Sequence, residues 1–388
     1  MKSSTSIIVY IGNGVVKGGL VFHQQGKKPL IISSRKKDLK YYPDRDRAQI
    51  ETLILGEFEN LIKEIKTEDF PKLHNIKCGK PDNALIILSS PWYLSQTNII
   101  KMQEATPFLV TDALVNKATS NIVKGYTGES SNLSVLEQNF LSVTLNGYNI
   151  VNPIGKKTKD LDINVFTSYV RNESVKRIED IVSSNFHLHN IHIHSQSLVS
   201  FSGINDIYPD IKDYMVIDVT SELTEILIVK DGVLRDTASY PFGRYSLMQS
   251  IAREMTSSED VAESSIQLYL NGKLEPEIKL KMEASLNIAR KEWLDSFSSV
   301  LKQITVNGTL PKNLYLFASN DVSTIYKQFI ESEEYQQFAL TEGKFEVEII
   351  GVASTSQLCD SDKNSNINED LDVSISIGAL FNNKKLFA

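Results

Sequence analysis

The chain has 388 residues, 41% hydrophobic and 23% charged, a mix that belongs to a folded globular protein long enough for two or more structural units. Its 41 Lys and Arg residues stand against 48 Asp and Glu, a net charge of −7 without large single-sign blocks, which disfavours a nucleic-acid partner. The two cysteines, Cys78 and Cys359, argue against a disulfide scaffold, and no apolar run approaches the roughly 18–20 residues that span a bilayer, so the sequence predicts a cytoplasmic protein that meets membranes only through a partner.

In chain order, SIIVYIGNGVVKGGLVF predicts strand, glycine turn and strand, and KPLIISSRK a third strand. Ile50, Leu53, Ile54, Phe58, Leu61, Ile62 and Ile65 recur at helical spacing, and NALIILSS follows as a buried strand. Pro91, Trp92 and Tyr93 come next, either as an aromatic contact surface or as packing that seals a junction. The segment FLSVTLNGYNIVNPIGKKTKDLDINVFTSYV then predicts a strand, a turn, a loop with Pro153 and Gly155, and a strand in which Leu161, Ile163 and Val165 alternate. RNESVKRIEDIVSSN continues as an amphipathic helix, and the whole reads as a compact α+β insertion. In HLHNIHIH, His187, His189, His192 and His194 crowd eight residues. The alternation with Ile191 and Ile193 reads as a half-exposed strand, and no metal is expected there because imidazoles without a nearby cysteine seldom make a structural zinc site.

The opening theme then repeats. YMVIDVTSELTEILIVKDG and VLRDTASYPFG give strand, turn, strand, turn, strand, and RYSLMQSIAREM gives a helix. Tyr10 and Asp218 occupy equivalent places before their turns, 208 residues apart, which predicts two related halves facing each other across a cleft. LCDSDKNSNINEDLD reads as a polar surface loop before VSISIGALF restores order.

At these residues the chain resembles the actin-like proteins of bacteria, above all the FtsA family and its PilM-type pilus-assembly relatives. NGYNIVNPIGKKTKDLDINVFT is similar to the strand, N-P-[IV]-G turn and long strand that close a subdomain peculiar to that branch, and VIDVTSELTEILIVKDGVLRDTASYPFG to its second phosphate motif. The resemblance implies an α/β fold of two actin-like lobes, a duplicated ribonuclease H-like architecture, with a small inserted α+β subdomain. It divides the chain into a first lobe over 1–91, the insertion over 92–187, a return to the first lobe over 188–212, and a second lobe over 213–388 whose helical subdomain covers about 243–304.

The resemblance also implies where ATP and magnesium belong. The first phosphate turn is YIGNGVVK: Gly12 and Lys17 match, Tyr10 stands where the family has an acid, and Asn13 and Gly14 replace hydroxyl residues. In the second turn, D-I-G-G-G-T-T-D in the family, Asp218 and Thr224 match, Glu225 is a conservative stand-in, and Thr220, Ser221 and Glu222 replace glycines, with Glu222 expected to set a carboxylate near the phosphate. Gly243 closes the third strand of this repeat. Glu263 resembles the A-E-x-x-K element, with Gln267 in place of its Lys, although a plain solvated helix explains the same spacing. The adenosine turn, L-T-G-G-G in the family, has become Leu316, Phe317, Ala318, Ser319 and Asn320. Erosion of all three elements predicts ATP binding that is weak or absent, with no catalytic residues assigned. The expected role is a scaffold or adaptor that joins a membrane-protein tail, a division or pilus component, or a second copy of itself. The closing FNNKKLFA is too short for the amphipathic membrane helix of FtsA-type proteins, which favours the PilM-like role. The competing reading is a working ATPase or a small-molecule phosphotransferase of the same fold, which the missing acid at Tyr10 opposes.

Overall fold

The computed structural model describes residues 2–39, 46–76, 78–127, 132–304, 310–332, 344–361 and 372–387; most of the polar loop expected near the C-terminus lies outside these. The chain begins with β1 (Ser3–Ile11) and β2 (Val15–Gln24), followed by two short pieces, β3 (Leu30–Ile31) and β4 (Arg35–Asp38), where the sequence predicts one strand. The break falls at Ser33, whose Oγ accepts the Leu20 N–H at 3.1 Å and so takes a ladder bond away from the backbone. Next come α1 (Arg47–Glu64), extended by a π-helical turn over Ile65–Asp69, then α2 (Lys72–Ile76) and β5 (Asn83–Leu88). The chain then leaves this sheet for β6 (Tyr93–Leu109), α3 (Asp112–Thr127), β7 (Leu133–Leu145), β8 (Tyr148–Asn149) and β9 (Lys157–Arg171). It returns through α4 (Asn172–Phe186), β10 (Ile191–Ser195) and α5 (Gln196–Ile207). The second half runs β11 (Tyr214–Val219), β12 (Thr224–Lys230), β13 (Val233–Tyr240), α6 (Arg244–Met255), α7 (Glu259–Leu270) and α8 (Pro276–Ile304). It ends with β14 (Asn313–Phe317), α9 (Ser323–Glu331), β15 (Glu346–Ile349), α10 (Val352–Thr355), β16 (Asp360–Ser361) and α11 (Val373–Phe387).

The two large sheets share one plan. The first runs β10-β5-β1-β2-β3-β16 and the second β13-β12-β11-β14-β15. In each, a leading hairpin is antiparallel and the next strand joins parallel to its first member, β5 beside β1 and β14 beside β11. The repeat is in register to the residue: Tyr10 faces Lys17 in the first hairpin and Asp218 faces Glu225 in the second, so both members of the pair are displaced by the same 208 positions.

Both sheets are covered on both faces, which is why their central strands read as near-continuous apolar runs. Ile7, Val9 and Ile11 point into a core with α1 and α4, where Phe58, Leu61, Ile178 and Val182 are fully buried. The alternate residues Ile8 and Tyr10 point into a middle core that holds α5 and α11 and the inner face of the second sheet, including Val216, Leu227 and Ile377. The outer face of the second sheet packs on α6, α8 and α9 around Trp293, which stacks on Phe297 at 4.8 Å and donates its indole N–H to Thr224. The molecule is thus a stack of helices, sheet, helices, sheet, helices.

The inserted subdomain is a four-stranded sheet, β6-β9-β7-β8, with α3 against one face. Asn146 and Gly147 both take positive φ, 49° and 82°, in the two-residue turn that brings β8 back on β7. Trp92 and Tyr93 are buried in the α1 and α4 core, so the packing reading of that aromatic step describes them. Helix α4, placed within 92–187 by the sequence reading, buries Ile178 and Val182 in the same core as α1. Its amphipathic face fits the first lobe.

Candidate functional site

A cleft of about 1510 Å³ lies between the two leading hairpins. Gly12, Asn13, Gly14, Lys17, Asp218, Thr220, Ser221, Glu263, Ala318 and Ser319 all line it, so residues singled out across more than 300 positions of sequence converge on one space. Thr224 and Gly243 stand behind it. The Thr224 hydroxyl donates to the Phe242 carbonyl at 2.6 Å and accepts from Trp293, a role internal to the second lobe. Gly243 packs under the second turn, where a Cβ would come within 2.6 Å of both the Leu223 nitrogen and the Thr220 oxygen. Glu222, expected to aim a carboxylate into the cleft, is not among the lining residues; the nearby carboxylate that does line it is Asp218.

The turns brace each other and themselves. Thr220 N–H donates to the Leu223 carbonyl and the Thr220 hydroxyl closes the same turn, while the first two amides of α6, on Arg244 and Tyr245, donate to the carbonyls of Thr220 and Ser221. Helix N-termini ordinarily offer such donors to phosphate. Here the loop itself takes them. Across the cleft a Cβ on Gly14 would overlap the Ser221 hydroxyl and sit 2.6 Å from the Tyr245 hydroxyl, so only glycine lets the two turns approach this closely.

The charged groups are likewise paired. Lys17 bridges Asp372 at 2.8 Å and lies over the Tyr10 ring at 5.2 Å. Asp372 caps α11 by accepting the Ser374 amide at 2.8 Å; burial works against its charge, but Lys17 and the cap hold its carboxyl below the usual range. Arg244 is held by Asp321 at 2.6 Å and by Glu263 at 2.6 Å. Beneath the second turn lies a buried acidic pair. Burial first, then the neighbouring Glu225, push Asp218 up to about 7 against the pull of Lys17. Burial also raises Glu225, against bonds donated by Tyr93 at 2.6 Å and Ser95 at 3.1 Å. The Tyr10 phenol is raised by burial and by the Asp218 charge, so it stays neutral.

ATP with magnesium, the group the fold family implies, does not fit these residues. Magnesium is held by hard anionic oxygens. The position that would offer one in the first hairpin carries the neutral Tyr10. The amides of Gly12 and Thr220 and the first two of α6 are spent on loop carbonyls, Lys17 and Arg244 are already paired with carboxylates, and the lining carries more carboxylates than cations, which repels a polyanion. Among the described residues no group of three or more His, Cys, Asp and Glu is placed to hold a metal. In the histidine segment, His194 bonds Glu137 of β7 at 2.6 Å through Nδ1 and Lys385 of α11 at 2.9 Å through Nε2, while His192 is exposed.

Sequence reasoning missed Asp372, Arg244, Asp321 and Gln196. Asp372 lies in a polar run that carries no periodicity, and the others sit just inside or before helices whose approach to the cleft depends on the packing of both lobes. The one legible signal was positional: Arg244 directly follows Gly243.

No protein-family model matches the chain, and no curated protein matches it. Solved structures share its shape. A chain of the "PilM-PilN type IV pilus biogenesis complex" aligns with a TM-score of 0.64 at 13% identity, over 97% of this chain and 98% of that one. A Bacteroides thetaiotaomicron protein described as having an actin-like ATPase fold and unknown function aligns at 0.45 and 10% identity, over 97% and 96%. The ethanolamine utilization protein EutJ from Carboxydothermus hydrogenoformans aligns at 0.44 and 12%, over 90% and 85%. The first alignment and the duplicated hairpins establish the two-lobed actin-like fold with its inserted subdomain.

The raised carboxyl makes a signed prediction. A carboxyl whose folded value lies above its unfolded value of 3.8 costs stability once it must ionise, so the penalty is absent at about pH 3 and complete by about pH 8. Asp218→Asn should therefore stabilise the protein by on the order of 1–3 kcal/mol at about pH 8 and hardly at all at about pH 3, read from denaturant unfolding at several pH values. A pH-independent change would mean that Asp218 is solvated and ionises normally.

Proposed function

We propose that the chain is an actin-fold scaffold or adaptor that works in the cytoplasm, links a membrane-associated machine of the cell-division or pilus-assembly kind to cytoplasmic partners, and turns over ATP weakly or not at all. The observation that carries this reading is the floor of the cleft, where every cation and every turn amide named above is satisfied from within. A fold kept without its phosphate chemistry has its remaining value in its surfaces.

The inserted sheet supplies such a surface. Leu94 and Phe140 are each more than half exposed, and with Val135 they stand opposite Tyr169 and Val165, on one face of β9. Strand β6 pairs with β9 on one side only among the described residues, so its outer edge offers backbone donors and acceptors to an added strand. No helix among the described residues is long and apolar enough to cross a membrane, so contact with one would run through a partner's tail. A chain of this fold was solved within a PilM–PilN complex, an analogy that supports protein binding here without naming the partner.

Two measurements test the reading. Calorimetric titration with magnesium–ATP should show no saturation in the range of about 1–10 µM; magnesium-dependent binding that tight would favour the ATPase reading instead. In pull-downs from membrane extracts, Leu94→Ser with Phe140→Ser should lower recovery of the membrane partners by at least about tenfold while the circular dichroism stays unchanged. Undiminished recovery would remove the inserted sheet from the docking role.

A further inference from the structure

Away from the cleft, β7 of the insertion meets β10 of the first lobe at Glu137. This carboxylate is 7% exposed and accepts from four donors: the Ser168 hydroxyl at 3.0 Å, the Ser195 amide at 3.2 Å, the Ser195 hydroxyl, and His194 Nδ1 at 2.6 Å. A carboxylate so occupied has nothing to donate, so His194 Nδ1 carries its proton and Nε2 faces the next group. That group is the Lys385 amine of α11, 2.9 Å from Nε2. Glu137, His194 and Lys385 thus form a row in which the imidazole can take a proton from the amine while the carboxylate steadies the imidazolium that results. The imidazole is buried and packs edge-on against Phe381 at 5.0 Å, whereas Lys385, at the end of the row, is exposed to solvent.

The surroundings of Lys385 favour the free amine. Its neighbour Lys384 is bound to Asp206 at 2.5 Å, but Lys385 is paired with a ring nitrogen. Burial holds its ammonium below the ordinary lysine value, against the pull of Glu137. The Phe381 ring, 5.2 Å from the amine, is the opposing contact, since an aromatic face favours a cation. His192, on the same strand, is held below the usual histidine range by burial and then by His194 and Lys385, so it brings no positive charge of its own at neutral pH.

We propose that Lys385 is a site of covalent acylation, its amine accepting an acyl group from a small activated donor, an acyl phosphate or an acyl thioester, with His194 as the base. The neutral amine donates one N–H to Nε2 and its lone pair bonds to the acyl carbon. The bond from that carbon to the phosphate oxygen or the thioester sulfur breaks, the leaving group departs with the electron pair, and the proton lost from nitrogen passes to His194 Nε2. The product is an amide. Acylation removes a positive charge beside the imidazole that holds Glu137, so the modification falls where α11, the first lobe and the insertion meet.

The test incubates the full chain with acetyl phosphate or, separately, acetyl-coenzyme A, and follows the acetylation of each lysine by peptide mass spectrometry. At about pH 7.5 Lys385 should react with at least one donor about tenfold faster or more than the exposed Lys291 of α8, and the donor that does so identifies the source. His194→Gln should slow Lys385 by at least about fivefold and leave Lys291 unchanged. In the unsubstituted chain the rate at Lys385 should level off at lower pH than the rate at Lys291, a readout that does not depend on how the variant folds. Equal rates at the two lysines with both donors, coincident pH profiles, or an unaltered Lys385 rate in a folded His194→Gln would overturn the proposal.

Discussion

The buried bond between Glu225 and Tyr93 ties the three parts of the molecule together. Glu225 belongs to the leading hairpin of the second lobe, Tyr93 opens the first strand of the insertion, and the Tyr93 hydroxyl also meets Ser197 of α5 at 2.7 Å in the first lobe. A buried carboxylate must be satisfied by donors, and Tyr93 and Ser95 of the insertion supply them together with Ser197 of α5. The position that repeats Lys17 of the first hairpin has become an acid whose partners lie in another subdomain. Its charge adds to burial in raising the carboxyl of its cross-strand neighbour Asp218.

The cleft and the inserted sheet are therefore one electrostatic unit. What enters near Asp218 acts on Glu225 across a single strand pair, and Glu225 holds β6. In a nucleotide-driven actin fold, differential binding of phosphate and metal to two conformations would bias such a unit. Here the lysine and arginine of the floor are already paired within the protein, which weakens that lever.

Much of this was legible in the sequence because it is local. The hairpins announce themselves through alternating apolar runs and their turns, and the 208-residue repeat links Tyr10 to Asp218. The loss of glycines at Thr220–Glu222 pointed to a turn that is now closed by the Thr220 amide and hydroxyl and tied to the start of α6. What sequence could not give were the pairings made by packing: Lys17 with Asp372, more than 350 positions away, and Glu225 with Tyr93. Glu222 was misplaced for a related reason. In a tight turn adjacent side chains point different ways, and it is Asp218, on the strand before the turn, that faces the cleft.

The central claim is that the cleft is braced by its own residues and not by a nucleotide. Hydrogen exchange of the backbone amides over 12–14 and 220–223, with and without saturating magnesium–ATP, tests it most directly, because a phosphate cradled by these turns would protect them. The account predicts the same exchange in both conditions. Added protection of both turns by magnesium–ATP would contradict it.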